Sequence, residues 1–220
     1  MVITRHTDDD FGLTLLMHYF HQDWRHDGSE LDVLGVALPP DQDPRAVLAL
    51  RQDAALVANG LSDNEIRVIW LAGTDGPEPA ETGPLGRAWM NAIVEYCDGW
   101  LARARYQPPP TELEELGGSR SEDVVVHEIQ EVSARLGRHP PPWALGSWDL
   151  VGEALTSCAR RCTPDLALRL LLRVICRNGI RIPRSQYELL VVIGQSFGYG
   201  DFLVTRAEPF VDEGRARIGP

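Results

Sequence analysis

The chain has 220 residues, 44% of them hydrophobic, and its 32 acidic against 21 basic side chains give a formal net charge of -11. That balance excludes general nucleic-acid binding, which needs clustered positive charge to displace counterions from phosphate, while the apolar fraction suits a packed core rather than a disordered chain. All basic residues are Arg, which closes every chemistry that needs a lysine, and no apolar run approaches the roughly 18 residues of a membrane helix; Leu166–Cys176 is interrupted by Arg169 and Arg173.

In chain order the segments read as helical. Met1–Asp10 is polar and acidic with no apolar signal region, so the expected location is the cytoplasm. Leu13, Leu16, Met17 and Phe20 follow at helical spacing. Asp43-Pro44 offers an N-cap with proline at the first helical position, Asn59-Gly60 offers a stop, and Val47, Leu50, Ala54 and Val57 form one stripe between them. Ser62-Asp63-Asn64-Glu65 has the letters of a capping box, with Leu61 and Ile66 placed for a hydrophobic staple, in a helix ending at Gly73. A longer helix over about 85–104 carries Trp89, Ile93, Tyr96 or Cys97, and Trp100. Val125, Ile129, Val132 and Leu136 space the next helix, and Leu150, Val151, Ala154, Leu155 and Cys158 the one after. Thr163-Pro164 starts a helix that Asn178-Gly179 ends. Ser185-Gln186-Tyr187-Glu188 reads as a second capping box, which favours helix over strand for Leu189–Ile193 and leads to a stop at Phe197-Gly198. Thr205-Arg206-Ala207-Glu208 reads as the cap of a last short helix.

The expected fold is therefore all-α, with two small helical domains or lobes. The first covers 1–106. Residues 107–119, with Pro108-Pro109-Pro110 and Gly117-Gly118, read as a linker, and 120–216 form the second unit. Charge divides unevenly between them: residues 1–106 hold 17 acids against 8 Arg, and residues 107–220 hold 15 against 13.

Chemistry is sparse. Gly194, Gly198 and Gly200 are spaced through an otherwise helical end and read as a helix stop and a turn, and there is no phosphate loop and no Gly-rich dinucleotide turn after a strand. Cys97, Cys158, Cys162 and Cys176 make no CxxC pair. Cys158 and Cys162 lie four apart on one helix face, which a zinc site could use only if two more ligands came from elsewhere. The cysteines read as small buried apolar residues. His18, His21, Asp23, His26 and Asp27 crowd one segment, and His26-Asp27 has the letters of a metal phosphohydrolase dipeptide. The plainer reading gives these polar side chains to the unsatisfied carbonyls at a helix end. Neither a metal nor a cofactor is expected, and no catalytic residue is assigned.

One segment carries a resemblance. Leu13 and Leu16 lead into Tyr19-Phe20-His21-Gln22-Asp23-Trp24. This pattern resembles the bacterial contact-dependent growth inhibition immunity proteins, in which a helix with spaced leucines runs into a Tyr-Phe-His-Gln-Asp-Trp stretch near the N-terminus. Leu61–Ile66 and Trp89–Leu101 are similar to that family's middle and last helices, so the resemblance spans about residues 11–104. The chain departs from the family in its longer 74–84 loop and in its second half, which stays open between a second immunity module, a fused regulator and a lobe completing a binding surface.

The resemblance implies a non-enzymatic antitoxin that binds and neutralises a cognate toxin domain, with Tyr19–Trp24 as a structural signature rather than the contact face. A basic nuclease domain is the toxin type an acidic inhibitor suits, because its acids mimic phosphate and steer encounter. Asp8, Asp9, Asp10, Asp27, Glu30, Asp32, Asp41 and Asp43 are the acids expected on that face; they read equally as a solvated terminus and loop. Two other readings stand beside it: a helical regulatory or adaptor protein with another protein partner, and a metal-dependent hydrolase using His18, His21, Asp23 and His26. Neither nucleic acid nor membrane is an expected partner, and the oligomeric state is left open.

Overall fold

The computed structural model describes residues 9–26, 28–74, 86–107, 122–136 and 147–212. Among them are ten α-helices and two two-residue strands, an all-α architecture. α1 (Gly12–Tyr19) is followed by a 3-10 turn, Trp24–His26, then α2 (Glu30–Ala37), α3 (Pro44–Gly60), α4 (Asp63–Gly73) and α5 (Arg87–Ala104). The second half supplies α6 (Glu122–Leu136), α7 (Trp148–Arg161), α8 (Pro164–Asn178), β1 (Ile182–Pro183), α9 (Arg184–Ser196), α10 (Asp201–Thr205), a 3-10 turn at Glu208–Phe210, and β2 (Val211–Asp212).

Local chemistry explains most boundaries. The Asp43 carboxylate accepts from Arg45 N, with Pro44 next to it, and the helix they open runs to Gly60. Ser62 and Glu65 form the reciprocal capping box, and Leu61 and Ile66 beside it are both buried. Ser29 and Asp32 form a second such box at α2. Thr163 caps α8 at Leu166 N, and Gly179 closes it at φ +62°, a left-handed conformation glycine adopts without steric cost.

Two expected caps do not form. α9 begins at Arg184 with Pro183 as its N-cap, so Ser185 lies inside the first turn and makes no capping box. The cause is the parallel pairing of Ile182 with Val211 and Pro183 with Asp212, which holds the chain extended up to Pro183. Thr205 ends α10 rather than starting a helix, and its hydroxyl donates back to Asp201 O at 2.9 Å. Leu150 also leaves its expected stripe: it is 38% exposed, while Val151, Ala154, Leu155 and Cys158 are buried.

α3 packs along α5, and α1 packs on α3, α4 and α8. α6 packs on α7 and α8, and α4 lies against both α7 and α8, so side chains from both halves enter one hydrophobic core. α8 is buried all round: Leu166, Leu168, Leu170, Leu171, Leu172, Val174 and Ile175 are each 3% exposed or less. Its charged side chains Asp165, Arg169, Arg173 and Arg177 share one i, i+4 stripe and none of them is exposed, so the helix lies at the centre of the fold. The proline run at 108–110, the rest of the expected linker to 119 and most of the 74–84 loop lie outside the described residues. No helix among the described residues is long and apolar enough to cross a membrane.

Candidate functional site

The signature stretch splits by side chain. Phe20 and Trp24 are buried, and Phe20 meets Trp24, Trp70 and Trp89 with ring centroids 5.2, 5.0 and 5.8 Å away. Trp70 and Trp89 stack edge-on at 5.7 Å, so four rings, two from α4 and α5 and two from the segment after α1, form one aromatic cluster. Tyr19 is half-buried, whereas His21, Gln22 and Asp23 face outward. Asp23 N donates to His21 Nδ1 at 3.2 Å, and Gln22 Nε2 donates to Asp23 Oδ2 at 3.3 Å. At the end of α1, Met17 O accepts from Arg173 Nη2 of α8 at 3.3 Å.

The eight nominated acids do not share one surface. Asp8 and Asp27 lie outside the described residues. Asp10 and Glu30 are buried, at 8% and 2% exposure, and leave the proposed contact face. Sequence could not separate them from their neighbours, because Asp8-Asp9-Asp10 is one run and Glu30 starts an amphipathic helix. Asp9, Asp32, Asp41 and Asp43 remain exposed. Asp32 and Asp43 also hold backbone amides at helix starts. The hydrogen bonds from the Ser29 hydroxyl and amide hold the Asp32 carboxyl below its usual range, so it stays ionised.

The polar centre that sequence reasoning missed lies where α1, α3, α8 and α10 meet. Arg169, 2% exposed, donates from Nη1 to Asp53 Oδ2 and from Nη2 to Asp53 Oδ1, both at 2.8 Å, and from Nη2 to Asp165 Oδ2 at 3.2 Å. Its Nη1 also reaches Phe11 O at 3.2 Å, and its guanidinium lies 4.2 Å over the Phe11 ring. Burial alone would discharge Arg169, but Asp53 and Asp165 outweigh it and raise its pKa well above the ordinary value. Asp53 Oδ2 further accepts from Leu13 N at 2.9 Å. The turn that delivers these groups needs glycine: Gly12 sits at φ +61°, and a Cβ there would lie 2.0 Å from Asp53 Oδ2.

A second layer surrounds Asp10. Arg206 Nη1 donates to its Oδ2 at 2.9 Å, and Thr14 donates to its Oδ1. With the proton on Nε2, His18 donates to Asp10 at 3.0 Å and leaves Nδ1 to accept from Arg173 Nη1 at 2.6 Å. Burial opposes the Asp10 charge, yet the His18 and Thr14 hydrogen bonds and the Arg206 charge hold its pKa below the ordinary value. The cavity beside this layer measures about 20 Å³, room for little more than a water. The network is a clamp joining the two halves, with its charges paired rather than presented to a substrate. Two signals pointed to it: Asp53 directly precedes Ala54 of the α3 core stripe, and Arg169 interrupts an otherwise apolar helix.

His18 belongs to this clamp, His21 bonds to its own turn, and no group of three His, Cys, Asp or Glu among the described residues converges to hold a metal ion. An open groove of about 580 Å³ runs between α6 and α7, lined by Gln130, Ser133, Asp149, Glu153, Thr156 and Arg160 among others, none of them nominated from sequence. Comparison with known proteins finds no relative: no family model, no curated protein and no solved structure matches the chain.

Proposed function

We propose that this chain is an immunity protein that binds a cognate toxin domain of a contact-dependent growth inhibition system and blocks it by protein–protein contact, without catalysis. The observation that carries the reading is the Tyr19–Trp24 stretch and its resemblance to that family. Its division into two buried rings and three outward polar side chains agrees with a motif kept for folding. The acidic surface of the first half supports a basic partner; of the nominated acids, Asp9, Asp32, Asp41 and Asp43 are the exposed ones. Such acids speed encounter with a basic domain and disfavour wrong partners.

The test pairs the chain with the toxin domain encoded beside its gene. Co-expression restores growth, the two proteins copurify, and raising ionic strength slows association more than it speeds dissociation. A pair that neither associates nor rescues growth ends the proposal. Association with an on-rate indifferent to salt keeps immunity and removes the acidic face.

A further inference from the structure

We propose that Cys158 and Cys162 form an oxidation site for hydroperoxides, a thiol pair on one helix face that closes to an intramolecular disulfide. All four cysteines are free thiols, but these two alone stand one helical turn apart. Cys162 N donates to Cys158 O at 2.9 Å, so helical geometry persists up to Cys162 at the C-cap of α7. That geometry places the two Cα atoms about 6 Å apart with both Cβ atoms on one face, inside the roughly 4.4–6.8 Å range a disulfide spans. The Cys158 thiol hydrogen-bonds to Cys162. The Cβ atoms of such an i, i+4 pair stand about 5–6 Å apart, wider than the roughly 3.5–4.5 Å of a disulfide, so closure moves Cys162, whose backbone already leaves helical values at φ -108° and ψ -100°.

The two thiols differ in access. Cys158 is fully buried, whereas Cys162 is only partly buried at the helix end, so a reagent from solvent meets Cys162 first. Cys162 occupies a slot at the end of α3, where its thiol donates to Leu56 O at 3.3 Å. A Cβ on Gly60 would lie 2.6 Å from its sulfur, so the missing side chain keeps the slot open. The hydrogen bond from Cys158 lowers the Cys162 pKa, and the Arg161 charge assists against burial. Burial pushes Cys97 up to about 12 and Cys176 up to about 11, which leaves them almost wholly protonated and poor nucleophiles at neutral pH.

The chemistry balances. The Cys162 thiolate attacks one peroxide oxygen and the O–O bond breaks; the other oxygen takes a proton from solvent and leaves as water or an alcohol. Cys162 is then a sulfenic acid. The Cys158 sulfur attacks it, the S–O bond breaks, and the departing hydroxide leaves as water with the Cys158 proton. Two thiols have supplied the two electrons that reduce the peroxide.

Hydrogen peroxide titrated into the folded protein, followed by alkylation and tryptic digestion, tests this directly. Trypsin cleaves after Arg160 and Arg161, between the two cysteines, so the disulfide shows as two peptides held together until a reductant separates them. The expected result is that linked pair at near-stoichiometric peroxide, with Cys97 and Cys176 still alkylated. In Cys158→Ser, whose hydroxyl keeps the donor to Cys162, Cys162 stops at the sulfenic acid and takes up dimedone. Oxidation of Cys97 or Cys176 at the same dose, a different pairing, or a fully alkylated Cys158 and Cys162 after excess peroxide overturns the proposal. So does an unlabelled Cys162 in a folded Cys158→Ser protein.

Discussion

Asp32 and Asp43 stand at helix starts with their carboxylates open to water, and each accepts from backbone amides within three residues. Asp53 and Asp165 carry the same chemical group, but they lie buried on either side of Arg169, and Asp53 draws in partners from α1 and α8. The exposed acids work locally, holding amides at helix starts, and keep a charge that a partner can feel. The buried acids work across the chain: Asp53 and Arg169 are 116 residues apart, and they decide where the first half sits on the second. A negative charge therefore says little about its use until burial is known, and the two groups answer differently to perturbation.

The sharpest way to break the comparison is to remove the buried cation. Arg169→Leu leaves Asp53 and Asp165 facing each other without a counter-charge, and truncating one side of such a pair costs about 3–5 kcal/mol. Urea denaturation should show that loss as a lower midpoint. Asp41→Asn, at an exposed acid, should leave the midpoint within about 0.5 kcal/mol of the parent. Equal effects at the two sites would mean that Arg169 is not the clamp its geometry describes.

Acid separates the groups more gently. The Asp10 pKa lies below its ordinary 3.8, so the group stabilises the fold at every pH above that value. The contribution fades as pH falls from about 3.8 through the depressed folded value, because the unfolded chain binds the proton first. Asp10→Asn should therefore flatten the stability profile below about pH 4, measured as urea midpoint against pH. An unchanged slope there would place the acid sensitivity elsewhere, with Glu65 next: burial opposes its charge, but the Ser62 and Ser157 hydrogen bonds and the Arg161 charge hold its pKa below 4.5.

Sequence made the helices legible where an amphipathic stripe and a stop coincide. Val47, Leu50, Ala54 and Val57 between Asp43-Pro44 and Asn59-Gly60 mark α3 to the residue, because capping is local chemistry. The clamp was not legible in the same way. Arg169 breaks an apolar run in a manner that also fits an ordinary surface helix, and its partners Asp53 and Phe11 are remote in sequence. The burial of Asp10 and Glu30 is likewise set by tertiary packing, which no local pattern encodes.

The two capping boxes expected from sequence give the smallest and most controlled comparison. Ser62 and Ser185 each head a Ser-x-x-Glu sequence before an apolar run, yet only Ser62 bonds its N3 amide while Glu65 returns a bond to the Ser62 backbone. At Ser185 the β1–β2 pairing holds Pro183 extended, so the helix starts two residues too early for the box to close. Ser62→Ala should cost about 1 kcal/mol. Ser185→Ala, inside a helix where alanine is the best former, should cost nothing measurable or stabilise slightly. If Ser185→Ala destabilised as much as Ser62→Ala, α9 would be capped from Ser185 after all, and the strand pair would not govern where that helix begins.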